Sequence, residues 1–70
     1  EVLEFIVKPS SPATKSTIGQ MGLPEDVIIG GIVRGDRVFI ATSNMQINAY
    51  DRVVVFAMPS AIADTGYYFN

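Results

Sequence analysis

Two short segments of this chain, residues 27–33 and 53–58, consist entirely of apolar residues and glycine. Their length and their content of Val and Ile are typical of strands rather than helices. An antiparallel sheet with helices on one side normally leaves one polar face, and neither segment supplies one. Two interpretations stay open: both strands are fully internal, or another chain covers the second face of the sheet.

The chain has only 70 residues and forms at most one domain, residues 1–70. A domain of this size buries only about 60% of the surface that its unfolded chain exposes, and it often needs disulfides, a metal or a partner subunit. Cysteine and histidine are both absent, which excludes disulfides and the usual zinc ligands. We therefore expect an additional protein surface, through oligomerisation or a neighbouring domain. Because the chain starts with Glu1 rather than methionine, we expect it to be a piece of a longer protein.

Composition argues against several classes of function. The net charge is -2 and the five basic residues form no run, so binding of nucleic acid is not expected. No apolar stretch is long enough to enter a bilayer, and no signal peptide is visible. Without His and Cys the commonest general base and thiol nucleophile are missing, so we expect no enzymatic activity and assign no catalytic residue.

Strands are predicted at residues 2–8, 27–34, 37–41 and 52–58. In the first of them, Leu3, Phe5 and Val7 share one face. Gly35-Asp36 is predicted to be a two-residue hairpin turn of type II′. Residues 42–51 are predicted to form a loop with a short strand at 45–47.

Helices are predicted at residues 13–22 and 59–65. The first would have Ser11 as N-cap, Pro12 at the first helical position and Gly22 just after its end. The order β-α-β-β-β-α with a clear hairpin indicates the α+β class. We expect a small two-layer domain with a mostly antiparallel sheet of about four strands and one or two short helices.

Neither phosphate nor metal motifs stand out. Gly30-Gly31 lies inside a strand, which is the wrong context for a phosphate-binding loop; it either permits a bulge or lets a ligand or backbone approach. Four acidic residues, Glu25, Asp26, Asp36 and Asp51, lack the spacing of a calcium loop. No metal site is assigned.

The ordered features of the chain resemble the TrkA C-terminal family, the C-terminal domain of regulators of K⁺ conductance. The matching elements are the helix exit Gly22-Leu23-Pro24-Glu25, the apolar strand from Val27 to Arg34, and the acidic turn Tyr50-Asp51-Arg52 before the last strand. The resemblance covers nearly all 70 residues. The chain departs from the family pattern at residues 14–17, at residues 41–44, and at Tyr50, where the family often has glycine.

The resemblance implies a cytoplasmic regulatory and dimerisation module of a Trk- or Ktr-type potassium uptake protein, associated with the membrane through a transporter subunit. It implies a nucleotide-binding domain upstream in the same chain, so no cofactor is expected in this domain. Some members sense a small ligand such as cyclic di-AMP or a cation. The alternative is a purely structural interaction domain without a ligand.

Arg34 and Arg37 bracket the predicted hairpin turn and are the candidate ligand-binding residues. One interpretation is a solvated turn with Asp36 as a weak exposed ion pair. The other is a clamp for a phosphate anion, which suits the planar guanidinium group. In the second case Ile28, Ile29 and Ile32 would supply an apolar wall for a base.

Overall fold

Four antiparallel strands form a single sheet in this computed structural model, which describes residues 1–70. The strands are β1 (Val2–Ile6), β2 (Val27–Arg34), β3 (Arg37–Ile40) and β4 (Arg52–Ala57), and the order across the sheet is β1-β4-β2-β3. The two apolar segments are thus the central strands β2 and β4. The predicted α+β class with a four-stranded antiparallel sheet is confirmed.

One face of the sheet carries the core, because alternate residues of each strand point to the same side. A row of directly paired residues crosses all four strands: Phe5, Val53, Ile32 and Phe39. The 3₁₀ and α segments and the two long connections cover this face. The apolar residues that they contribute include Ala13, Ile18, Met21, Leu23, Met45, Ile47, Ala61, Ile62 and Phe69. The ring of Phe69 stacks on Phe5 with 5.0 Å between centroids.

A bulge interrupts the pairing of β2 with β4. Ile29 pairs with Val55 and Gly31 pairs with Val54, so Gly30 is the extra residue. A Cβ atom on Gly30 would collide with the ring of Phe56, which lies over the bulge on the opposite face from the core. Glycine is required here for close approach of that ring, and the bulge interpretation of the glycine pair is confirmed.

The β2–β3 hairpin has the predicted turn. Gly35 has φ +62°, whereas Asp36 is not among the residues with positive φ. This is the type II′ pattern, in which only the first central residue needs the left-handed region.

The predicted helix over residues 13–22 is wrong. Only Pro12–Lys15 forms a single 3₁₀ turn, with Ser11 at the N-cap position but without a side-chain capping bond. Beyond it the backbone is held by the loop after β3, since Ile18 N donates to Met45 O and Gly19 N donates to Ser43 O. Thr17 and Gln46 form an isolated bridge, the only pairing found in the predicted 45–47 strand. Two β-branched threonines and an internal glycine give this segment a low helix propensity, so these tertiary bonds prevail.

The C-terminal helical segment is longer than predicted. It contains a 3₁₀ turn (Pro59–Ala61), the helix α1 (Ile62–Thr65) and a second 3₁₀ turn (Gly66–Phe69). Gly66 does not end it, because its φ of -59° is helical. Each of the helices is far too short to cross a bilayer.

Candidate functional site

An ion pair joins the end of β2 to the turn before β4. Arg34 Nε donates to Asp51 Oδ1 at 2.9 Å, and Arg34 Nη2 donates to Asp51 Oδ2 at 2.8 Å. Asp51 is only 1% exposed, whereas the Arg34 side chain is 36% exposed. The carboxylate also accepts a bond from Asn48 N at 2.9 Å, and Arg34 Nη2 donates to Gln46 O at 3.2 Å. The pair therefore fixes the loop 46–51 to the sheet.

The environment of the pair lowers the pKa of Asp51. Burial by itself raises the pKa of this carboxyl group, but the hydrogen bonds from Arg34 and from Asn48 N, together with the charge of Arg34, outweigh it. The hydrogen bond to Asp51 likewise raises the pKa of Arg34. Both groups are held in their charged forms.

The residue before Asp51 has a strained backbone. Tyr50 has φ +70°, in the left-handed region that favours glycine. This conformation lets Tyr50 N donate to Val7 O at 2.7 Å while Val7 N donates to Asp51 O at 2.8 Å. Glycine adopts this left-handed conformation without strain, which explains why the family that the sequence resembles often has glycine here.

The two candidate arginines lie around one aromatic ring. The Cζ atoms of Arg34 and Arg37 are 5.1 Å and 5.2 Å from the centroid of Phe39. The weak ion pair of Asp36 that one interpretation of the turn expected is absent, and the carboxylate partner of Arg34 is Asp51. The sequence held a signal for this pair: Arg34 is in phase with Ile32 on the core face, where a charge needs a partner.

The structure separates the other candidate residues. Ile29 and Ile32 are buried in the core, and Ile28 is exposed on the opposite face of the sheet near the other end of β2. The arginines are therefore together, but Ile28 is not beside them. Binding of a ligand at these five residues stays a prediction.

The second face of the sheet has no cover. We call it the open face and define it by its exposed apolar residues, whose exposed fractions lie between 48% and 78%. They are Val2, Ile6, Ile28, Val38, Ile40, Phe56 and Met58. One exposed ion pair lies on this face, from Arg52 Nε at the start of β4 to Glu4 Oε1 on β1 at 3.3 Å. The surplus of apolar surface that the sequence indicates lies here.

A shallow depression of about 280 Å³ occupies one end of the open face. Its lining residues are Glu1, Val2, Glu25, Asp26, Ile28, Phe56, Ala57 and Met58. The directly paired residues Val2, Phe56 and Ile28 form the floor. Neither Glu25 nor Asp26 takes part in a salt bridge, and no group of three or more acidic side chains converges as a metal site.

Comparison with known proteins gave concordant matches. A family model described as "TrkA-C domain" matches residues 2–70. "Trk system potassium uptake protein TrkA homolog 1" of Methanosarcina mazei is 29% identical over all 70 residues, and the chain spans 16% of the length of that relative. A solved structure described as "Structure of RCK domain with cda" has a TM-score of 0.77 at 14% identity, covering 99% of this chain and 97% of the other. At that identity the structural likeness concerns the fold.

Proposed function

Because this chain belongs to the TrkA-C domain family, we propose that it is a non-enzymatic, homodimeric regulatory module of a potassium uptake protein. The similarity to a Trk system protein supports potassium uptake as the process. In this proposal the module works in the cytoplasm, attached to a nucleotide-binding domain of the same chain. The complex lies against the inner face of the membrane through a transporter subunit.

The open face is the main observation that supports the proposed homodimer. The exposed fractions of its seven apolar residues correspond to about four fully exposed side chains, or on the order of 600 Å² per copy at roughly 150 Å² each. Two copies would bury about 1,200 Å², which is the lower end of the range for stable specific interfaces. A patch of this size is at the upper end of what a typical monomer exposes, about 300–600 Å², and exposed patches of this kind often mark interaction sites.

Regulation would arise from a change in the geometry of the dimer. A ligand that binds one geometry better than the other shifts the equilibrium by its differential affinity, typically about 1–3 kcal/mol. Arg37 is the arginine more available to an anion such as cyclic di-AMP, because it makes no ion pair, whereas Arg34 is bound to Asp51. A nucleobase has the ring of Phe39 close by, beside both guanidinium groups.

Sedimentation velocity over a range of concentrations tests the homodimer. We expect dimers at micromolar concentration and a clear shift toward monomer in Ile40→Asp, which places a charge on the open face. Tyr67→Asp is the matched control, since Tyr67 is also exposed but lies in the C-terminal segment that covers the other face. Monomers at all concentrations in the unsubstituted chain would refute the proposal.

Calorimetry separates the regulatory module from a purely structural interaction domain. Titration with cyclic di-AMP, common nucleotides and potassium should give a binding heat that is lost in Arg37→Ala. Arg37 is the better position to change, because removing Arg34 also destabilises the fold through Asp51. The absence of heat with every candidate, on a protein that dimerises, would favour the structural domain.

A further inference from the structure

We propose that two copies pack open face against open face with their strands reversed end for end, so that Arg52 of each copy enters the depression of the other. The inference rests on the proposed homodimer and specifies its geometry. The occupant of the depression is then a second copy of this chain.

The charges are distributed unequally along the sheet. At the end that holds the depression, Glu25 and Asp26 precede β2 and have no basic partner. Arg52 begins β4 at the opposite end, and its only carboxylate partner is the exposed Glu4. A face that is acidic at one end and basic at the other is complementary to itself when one copy is reversed.

Symmetry within β4 fixes how the copies meet. Arg52 and Phe56 lie two residues to either side of Val54, and period-2 geometry puts all three on the open face. Each is about 7 Å from Val54 along the strand. Consider a two-fold axis that lies between the two packed sheets, runs at right angles to the strands and passes over Val54. This axis places Arg52 of each copy over Phe56 of the other. Strands of packed sheets normally lie within about 30° of one another, which this arrangement satisfies.

The depression suits an arginine side chain. Its volume corresponds to roughly nine water molecules of the liquid, enough for the non-hydrogen atoms of that side chain. The apolar floor at Val2, Ile28 and Phe56 would bury the methylene stem, and a guanidinium group over an aromatic ring gains a cation–π contact. Carboxylates of Glu25 and Asp26 at the rim would then pair with the charge.

Packing the two open faces without reversing one copy end for end is unfavourable. A two-fold axis along the strands would bring the two acidic ends together and leave Arg52 facing the basic end of the other copy. Like charges placed against each other across an interface are strongly disfavoured. In the reversed arrangement Glu4 is the only charged residue of the middle row that meets its own copy, and it does so on the edge strand β1, where water screens the repulsion.

Charge reversal gives the first test, read by sedimentation. Arg52→Glu alone and the double variant Glu25→Lys with Asp26→Lys should each weaken dimerisation about tenfold or more. In a dimer of either variant, residue 52 of each copy would face residues 25 and 26 of the other with the same sign of charge. An equal mixture of the two variants should dimerise again, because both contacts then join opposite charges. Lys15→Glu is the control, with the same charge change at an exposed residue of the 3₁₀ turn that covers the other face of the sheet. A mixture that stays monomeric would overturn the proposed packing.

Cross-linking gives the second test, on a chain without native cysteines. Ile40 lies in the middle row, paired with Gly31 opposite Val54, so the axis puts Ile40 of one copy over Ile40 of the other. Ile40→Cys should be joined efficiently by a bismaleimide that spans the about 10 Å between packed sheets. Val38→Cys, on the same strand and as exposed, should not, because its two copies would be displaced by about 13 Å along the strand.

The outcomes separate the two proposals. Dimers in which Ile40→Cys does not cross-link, or cross-links no better than Val38→Cys, would overturn the reversed packing while leaving the homodimer intact. If the unsubstituted chain is monomeric, both proposals fail. Glu4→Gln should strengthen the dimer a few-fold, since it removes the repulsion between the two Glu4 residues and frees Arg52. A weaker dimer in that variant would contradict the predicted position of the axis.

Discussion

Replacing Arg34 with methionine tests whether the Arg34–Asp51 pair holds the loop 46–51 to the sheet. Methionine keeps most of the apolar stem that packs near Phe39 but removes both donors to the carboxylate. The buried Asp51 carboxylate would then keep only the hydrogen bond that the backbone N–H of Asn48 donates to it. A buried carboxylate that loses its charge partner is costly, so we expect a large loss of stability.

The magnitude follows from burial and the bonds lost. Removing one partner of a fully buried ion pair costs about 3–5 kcal/mol, and hydrogen bonds to charged groups contribute about 1.5–3 kcal/mol each. Arg34 is more than a third exposed, so solvent screening reduces the loss to about 2–3 kcal/mol. A domain of this size has roughly 3–5 kcal/mol of stability, so about half of it or more should disappear.

Urea unfolding measures this loss, with all variants at one protein concentration so that association does not alter the comparison. With a slope of about 1 kcal/mol/M, the midpoint should fall by roughly 2–3 M. Arg37→Met is the matched control, since Arg37 also lies over Phe39 but makes no ion pair, and it should lose at most about 0.5 kcal/mol. Equal midpoints for the two variants would refute the reasoning, as would additive effects of Arg34→Met and Asp51→Asn in a double-mutant cycle.

Three further predictions concern the same turn and the bulge. The contribution of the Asp51 carboxylate to stability should be complete above about pH 4, the ordinary pKa of an aspartate, and should be lost progressively as the pH falls below it toward the lowered pKa of the folded state. The stability difference between the unsubstituted chain and Asp51→Asn should therefore shrink as the pH falls, and a constant difference would contradict this. Tyr50→Gly should raise the free energy of unfolding, measured with urea, by up to about 1 kcal/mol, because glycine adopts the left-handed conformation freely and the Tyr50 ring is mostly exposed, whereas Tyr50→Ala should show no such gain. Gly30→Ala should cost about 1–3 kcal/mol through its collision with Phe56, and most of that cost should vanish in a Phe56→Ala background; an equal cost in both backgrounds would mean that the backbone, not the ring, requires glycine.

Local patterns predicted the sheet well, because strands and tight turns depend on neighbouring residues. The alternation in β1, the continuous apolar runs of β2 and β4, and the glycine-first turn at Gly35 were all visible in the sequence. The predicted helix over 13–22 failed for a physical reason. Its cap and end signals were present, but Thr17 and its neighbours bond to residues 43–46, which are close only in the folded chain.

The candidate ligand site could be predicted only in part. Proximity of Arg34 and Arg37 follows from the hairpin turn between them, and the structure places both beside Phe39. The separate position of Ile28 follows from the one-residue bulge and the alternation of faces, which the grouping of three isoleucines overlooked. Asp51 was noticed as an acidic turn residue but not as the partner of Arg34, seventeen residues away.

The small antiparallel sheet and its two apolar central strands could be predicted from the residues alone. Composition, period-2 alternation and turn chemistry act over a few residues, so they can be recognised without a structure. Three facts needed the folded structure: which face of the sheet stays open, which carboxylate binds Arg34, and that Arg52 and the acidic depression lie symmetrically about Val54. Those facts depend on strand order and register, which arise when distant segments pair.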